Sequence, residues 1–361
     1  MIGVIGTALD RRHPQFAAVR RALLAWFQAN RRMLPWRGTC DPYAVWVSEV
    51  MLQQTQIATV VPYYLRFLKA FPTVSHLARA PLERVLELWS GLGYYRRARH
   101  LHQAAQSITR QLAGTFPGDY DGLRTLPGVG DYTAKAVLSI AFNQPFAVLD
   151  GNVARVVARL YCLKGNLHQR QFRRTVEGAL QKLLSRRSPG DFNQAMMELG
   201  QTICLPQGPC CLECPLHRWC GAYAGGNSEA FPDPRPRRAA ESHHLAVALL
   251  RHRTRVAMMR GLADGLLDGL WNFPAAFGSS AAQALKGLHE KLHRLTPTRF
   301  SIGEPVAEFR HGITFRSIEG RVYPVEPSRA FRHASLRWFE LKSLPQAAVS
   351  QLARKIVQKI A

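Results

Sequence analysis

Up to about residue 224 the apolar positions recur every three or four residues, in runs of roughly 10–15 separated by Gly and Pro, which predicts a mainly α region. Phe16, Val19, Leu23, Trp26 and Phe27 form the first such stripe. "CDPYAVWVSEVMLQQTQ" opens another helix, with Asp41 placed to cap it and Pro42 suited to its first turn. The stretch "AGGNSEAFPDPRPRRAAE" breaks the pattern and reads as a linker over 225–241, stiff where prolines crowd. Beyond it the period changes. "SHHLAVALLRHRTRVAMMR" predicts two strands around a polar break, followed by a helix at 281–294 and short strands to about 340. The expected architecture is a helical domain over 1–224 and an α+β domain over 242–361, with no repeat of one in the other.

Composition narrows the class of partner. Apolar residues make up 47% of the 361, which excludes general disorder. Forty-eight Lys and Arg against 24 Asp and Glu leave a net charge of +24, the signature of a chain that meets a polyanion. A membrane would attract the same charge, but no run of about 18 apolar residues exists to span one, so nucleic acid is favoured. "MIGVIGTALDRRHPQF" lacks the order of a secretory signal. The acid-poor stretch Arg11–Arg37 imitates a transit peptide, yet its helical stripe favours an ordinary first helix. The expectation is an intracellular, cytoplasmic protein at the nucleoid, in which the seven cysteines do not form structural disulfides and the clustered ones serve metal or iron–sulfur ligation.

Four of them, Cys204, Cys211, Cys214 and Cys220, crowd into "CLPQGPCCLECPLHRWC". Four thiolates so spaced suit an iron–sulfur cluster or a closed zinc site, and spacing alone does not choose. Cys210 is a surplus thiol beside Cys211, while Cys40 and Cys162 read as small core residues. His217 and Arg218 place basic groups on the same loop, which either touches DNA or is a plain staple.

Two carboxylates stand out. Glu49 is surrounded by Val45, Trp46, Val47, Val50, Met51 and Leu52, and burial there would raise its pKa and suit it to general-acid work; the bland alternative is one exposed Glu on an amphipathic helix. Asp150, in "AVLDGNVARV", stands where a helix begins and is at least an N-cap. Together they suit N-glycosidic cleavage, one protonating the leaving base and the other stabilising a cationic sugar, with Asn152 orienting Asp150 or the attacking water. In "TLPGVGDYTAKAV", Gly128, Val129 and Gly130 form a turn whose N–H groups can hold a phosphate. Asp131 is an awkward neighbour for an anion, so its side chain is expected to cap the helix or point away.

The cysteine spacing, with "LPGVGDYTAKAV" and "VLDGNVARVVAR", resembles the endonuclease III superfamily of DNA glycosylases over about residues 15–224. Within it, "LPWR" (34–37), "SEVMLQQTQ" (48–56) and "GLGYYRRAR" (91–99) resemble the MutY family of adenine DNA glycosylases, and "GLLDGLWNFPAAF" (265–277) resembles that family's MutT-like C-terminal domain. The resemblance implies a helix–hairpin–helix fold and one 4Fe–4S cluster on the four cysteines. It also implies release of adenine mispaired with 8-oxoguanine or guanine, from double-stranded DNA, by a single copy of the chain. Glu49 and Asp150 take the acid and oxocarbenium-stabilising roles; Leu34, Trp36, Arg37 and Gln194 line the base pocket; Gln54 and Tyr94 insert beside the mispaired guanine.

Tyr132 stands where strand-nicking relatives carry a catalytic lysine, which directs the reaction to water and leaves an abasic site, with Lys135 the remaining amine for any residual lyase step. Residues 278–300 contain only Glu290 as an acid, too few to hold magnesium, so the C-terminal domain is expected to recognise damage rather than hydrolyse nucleotides. One departure is the damage-reading loop. The family's aromatic–Ser–His becomes Phe309, Arg310 and His311 in "EFRHGITF", with Arg310 able to bond a purine edge or phosphate. The competing readings are an endonuclease III-like pyrimidine glycosylase/lyase and a non-catalytic iron–sulfur DNA-binding protein.

Overall fold

The computed structural model describes residues 13–234, 241–262, 267, 269–313, 315–329, 331–346 and 348–360. They form two compact units. The first takes the described residues to Arg79 and again from His100 to residue 234; the second takes Ala80–Arg99 and the described residues from 241 onward.

The helical unit holds α1 (His13–Asn30), α2 (Pro42–Leu52), α3 (Ile57–Ala70) and α4 (Val74–Arg79). After α5 (Leu82–Trp89), which belongs to the other unit, come α6 (Arg96–Gln111), of which the helical unit takes the part from His100, then α7 (Tyr120–Arg124), α8 (Asp131–Ala141), α9 (Gly151–Tyr161), α10 (Arg170–Leu183), α11 (Pro189–Thr202) and the single turn α12 (Gly221–Ala224). The predicted stripe of α1 is real: Phe16, Val19, Leu23 and Phe27 enter one core with α9, α10 and α11, and Trp26 packs at its margin. Asp41 caps α2 by accepting the Tyr43 N–H at 3.0 Å, with Pro42 next to it as expected. Every residue from Tyr43 to Met51 is buried, so α2 is a central helix with no solvent face. That rules out an exposed Glu49.

The second unit is built on β1 (Glu241–His252), whose apolar run is buried on both faces. Leu245, Val247 and Leu249 face one core and Ala246, Ala248 and Leu250 the other. The predicted polar break turns β1 back into β2 (Arg255–Arg260), with His252 paired to Arg255. Then follow β3 (Trp271–Asn272), β4 (Ala275–Gly278), α13 (Ala281–Leu295), β5 (Phe300–Ile302), β6 (Ala307–Ile313), β7 (Arg316–Pro327), β8 (Arg337–Glu340) and α14 (Gln351–Ile360). β1 runs parallel to β7, from Glu241 beside Arg316 to Leu250 beside Val325, and β6 lies antiparallel on the other side of β7. Ala284, Leu288 and Leu292 of α13 cover one face of the sheet; Leu352, Ala353 and Ile356 of α14 cover the other. The predicted helix and strands are present, and α14 is an addition that periodicity reading passed over.

Three expectations need correction. Cys40 and Cys162 are exposed rather than core: Cys40 immediately precedes the Asp41 cap, and Cys162 ends α9 in a left-handed turn. The expected linker is bound to the helical unit through Asp233, whose N–H donates to the Gly165 carbonyl at 2.9 Å and whose carboxylate accepts the Gly165 N–H at 2.9 Å; residues 235–240 lie outside the described residues. A single boundary is also too simple, because Ala80–Arg99 groups with the sheet unit. Trp271 Nε1 and Arg260 both donate to Glu83 of α5, at 3.1 and 3.0 Å.

Candidate active site

The helical unit encloses a cavity of about 630 Å³ whose wall includes Leu34, Trp36, Arg37, Glu49, Gln54, Tyr132, Asp150, Asn152 and Gln194. Residues from five separate stretches of chain thus meet in one place. Its size suits one small ring system, within the range of about 300–1,000 Å³ usual for such sites.

Glu49 projects from the buried helix α2 and is 5% exposed. Burial raises its pKa to about 7, a hydrogen bond from Tyr132 pulls the other way, and the charge of Asp150 adds to the rise. Its Oε2 has no hydrogen-bond partner among the described residues. A buried, unpartnered carboxyl oxygen on a cavity wall is placed to give a proton to whatever enters.

Asp150 caps α9, accepting the Val153 N–H at 2.7 Å and the Asn152 amide at 3.0 Å. Burial lifts its pKa, while those donors and Arg155 pull it down. Burial prevails and the net shift is upward, while both donors are oriented to favour the anion. Asp150 is therefore both the N-cap and a pocket residue, and the two roles share one geometry. Tyr132, in the first turn of α8, has its pKa raised by burial and by the charges of Glu49 and Asp150, so it remains a phenol; its hydroxyl also reaches Met197 Sδ at 3.2 Å.

Two supports escaped the sequence reading. Glu198 lies four residues after Gln194 on α11, 1% exposed, and pairs with Arg37 and with Arg32, the latter at 3.0 Å. Burial opposes its ionisation, but bonds from the two arginines prevail and hold its pKa below the usual range. The recurrence of Gln194, Glu198 and Gln201 along one helical face was the available signal. The other support is Arg155, which donates to Asn152 Oδ1 at 3.0 Å, to the Gly200 carbonyl at 2.7 Å and to the Cys204 carbonyl at 2.8 Å. Gly200 permits this approach, since a Cβ there would stand 2.7 Å from that of Asn152.

The glycine turn keeps its shape through the Val129 N–H, which donates to the Leu126 carbonyl at 3.1 Å, and Val129 itself is buried. That N–H closes the turn and is not a phosphate donor; the N–H groups of Gly128 and Gly130 take no part in that bond. Gly128 has φ +76°, and a side chain there would strike His100. The turn opens on a second cavity, of about 400 Å³, that Arg173 also lines. Asp131 lines that cavity too, but its carboxylate is engaged, accepting from the Tyr120 hydroxyl at 2.8 Å and pairing with Lys135 at 2.9 Å. Lys135 is thereby occupied and is not among the residues lining the larger cavity.

On the cysteine loop, no set of three or more ligating side chains lies at metal-binding spacing among the described residues. The four thiols are nonetheless neighbours. Burial pushes Cys214 up to about 12, and Cys204, Cys220 and Cys211 each add to the rise. Arg159, 2% exposed, donates to Cys204 Sγ at 3.4 Å and to the Leu205 and Pro206 carbonyls. Four neighbouring thiols, of which burial keeps Cys214 and Cys220 protonated, with the buried Arg159 against Cys204, are a donor set that suits a metal centre. His217 is used inside the loop, its Nδ1 2.7 Å from the Cys214 carbonyl.

In the sheet unit, Arg310 is exposed and pairs with Glu319 at 3.0 Å, and His311 is half-buried. Phe309 turns inward, 4% exposed, with its ring over Gly320. Alternation along β6 sends it to the core, so it packs the sheet and offers no face to a base. Tyr94 lies on a loop of the same unit, 47% exposed. Residues 265, 266 and 268 of the "GLLDGLWNFPAAF" motif lie outside the described residues.

Residues 47–182 match the HhH-GPD superfamily of base excision DNA repair proteins. The human adenine DNA glycosylase is 34% identical over 95% of this chain and 74% of its own length. The chain belongs to the adenine DNA glycosylase family. The family's counterpart from Buchnera aphidicola subsp. Baizongia pistaciae is 40% identical, over 56% of this chain and 58% of that one. A thermostable thymine-DNA glycosylase shares the fold with a TM-score of 0.54 and 26% identity, over 60% of this chain and 99% of its own. Membership in the adenine DNA glycosylases makes this chain a DNA glycosylase, a hydrolase of N-glycosyl bonds, and its helical unit has the fold of that superfamily. No helix among the described residues is long and apolar enough to cross a membrane.

Proposed function

We propose that the chain removes adenine mispaired with 8-oxoguanine or guanine in double-stranded DNA and stops at the abasic site. The observation that carries this reading is Glu49: a buried carboxyl with a pKa near 7 and an unpartnered oxygen on the wall of a base-sized cavity it shares with Asp150. The extruded adenine enters that cavity. Glu49 protonates its imidazole edge, the bond from C1′ to the base breaks with its electrons going to the base, and the Asp150 carboxylate stabilises the cationic sugar. Water, oriented by Asn152, then adds to C1′ and gives up a proton, which returns the Glu49 carboxylate to its acid form. The pocket presents Tyr132 where an amine would be needed for a Schiff base, which favours hydrolysis over strand scission. Leu34, Trp36, Arg37, Gln54 and Gln194 hold the base; Gly128, Gly130 and Arg173 hold the backbone phosphate. Tyr94 stacks into the space the base leaves. Arg310 and His311 read the opposite strand.

Cys204, Cys211, Cys214 and Cys220 would hold one 4Fe–4S cluster, which would give the loop a fixed shape when bound. The protein acts as a monomer in the cytoplasm, at the nucleoid.

The test is a glycosylase assay on adenine opposite 8-oxoguanine, guanine, cytosine and thymine, with one lane left without alkali. Release of free adenine from the first two, with strands intact in that lane, is the expected result. Release of an oxidised pyrimidine with nicking would establish the endonuclease III-like reading, and binding without any release the non-catalytic one.

A further inference from the structure

Tyr94 sits at φ +49° behind Gly93 at φ +80°, a left-handed backbone that a tyrosine adopts only when its surroundings impose it. Part of that imposition is local. Trp89, fully buried, donates from Nε1 to the Gly93 carbonyl at 3.0 Å, Arg97 donates to the same oxygen at 3.2 Å, and the Gly91 N–H donates to the Tyr95 hydroxyl at 3.1 Å. The rest comes from the far end of the chain. Gln351 Nε2 donates to the Gly91 carbonyl at 2.7 Å, Arg354 donates to Ser90 Oγ at 3.0 Å, and that hydroxyl donates to the Val349 carbonyl at 3.1 Å.

The start of α14 is itself tied to the sheet. Ser350, fully buried, accepts the Ala353 N–H at 3.0 Å and bonds Asn272 Oδ1, while Asn272 donates to the Leu270 carbonyl at 2.9 Å. One hydrogen-bonded path therefore runs from β3 through Ser350 and α14 to the loop that presents Tyr94, all within the same compact unit.

We propose that Gln351 and Arg354 are positioning residues for Tyr94, so that the sheet unit takes part in extruding the adenine and not only in reading the opposite base. The inference rests on the stacking role given to Tyr94 above. Tyr94 is half-exposed, with the Arg97 guanidinium 5.3 Å from the centre of its ring, while the loop that carries it is pinned to α14 at two consecutive residues, Ser90 and Gly91. Releasing either pin lets the glycine-rich loop relax from its imposed backbone and lowers the fraction of molecules with the ring in place.

The experiment uses the full-length protein and a duplex with 2-aminopurine beside the target adenine, read by fluorescence for extrusion and by single-turnover base release. The proteins are wild type, Tyr94→Ala, Gln351→Ala, Arg354→Met and the double variants with Tyr94→Ala. Gln351 is exposed, so its substitution leaves folding intact. Gln351→Ala is expected to slow extrusion and release by about two- to tenfold, the size of one neutral hydrogen bond, and Arg354→Met, which removes a charge-assisted one, by at least as much. The preference for 8-oxoguanine over guanine should not change, and neither substitution should slow Tyr94→Ala further. Full-speed extrusion in both single variants, or an undiminished effect in the Tyr94→Ala background, overturns the inference while leaving the stacking role intact. Wild-type extrusion by Tyr94→Ala removes the stacking role, and the inference with it.

Discussion

The amide nitrogen of Asn152 donates to Asp150 Oδ2 at 3.0 Å, and Arg155 decides that it is the nitrogen that faces there. A guanidinium only donates, so Arg155 draws Asn152 Oδ1 toward itself and leaves Nδ2 for the carboxylate. Arg155→Gln, which offers either an oxygen or a nitrogen, frees the amide to rotate. Adenine release should slow about 10–100-fold, the loss of a hydrogen bond to a charged group, with duplex affinity unchanged. Single-turnover rates and titration of an uncleavable duplex check both halves.

Glu49→Gln keeps the shape of the buried residue and removes its proton. Base release should fall about 10²–10⁴-fold, the usual worth of a general acid, with duplex binding retained. Loss of binding in step with rate would mean that Glu49 holds the pocket together instead.

The pKa of about 7 sets two pH dependences. The acid works only while protonated, so single-turnover release should decline as pH rises through about 7. Stability follows the same sign. The folded carboxyl holds its proton to higher pH than the unfolded one, so the unfolded state gains by ionising from the ordinary value of 4.5 upward, and Glu49 costs increasing stability up to about pH 7. Melting curves should show Glu49→Gln raising Tm at pH 8 more than at pH 5. A gain that is equal at both pH values would show that the carboxyl is not buried as described.

Cys214→Ser should lose bound iron and acid-labile sulfide, and Cys210→Ser should keep both. Elemental analysis also separates iron from zinc, which suits the same four thiolates.

Lys135→Ala should leave adenine release at the wild-type rate and yield no change in borohydride-trapped DNA adduct, because Asp131 already holds that amine. A trapped adduct in wild type that vanishes in this variant would restore Lys135 as a lyase residue.

How much of this was legible in the chain differs between its parts. Local rules sufficed for the Asp41 cap, the α1 stripe, the β1–β2 turn and the position of α13, because each depends on residues a few places apart. The candidate pocket residues were legible through motifs, and the fold gathered nine of them on one cavity.

What sequence by itself could not determine was which face each residue turns. Phe309 looked like a base contact, but strand alternation and the space over Gly320 put its ring in the core. Glu198 looks like an ordinary helix-surface charge until Arg32 and Arg37 fold against it, and Arg155 does until α11 and the cysteine loop fold against it, in each case from more than 40 residues away in the chain. The grouping of Ala80–Arg99 with the C-terminal unit was likewise beyond local reasoning. Bonds such as Ser90 to Val349, 259 residues apart, obey no period along the chain, and only the packing of the sheet unit brings their partners together.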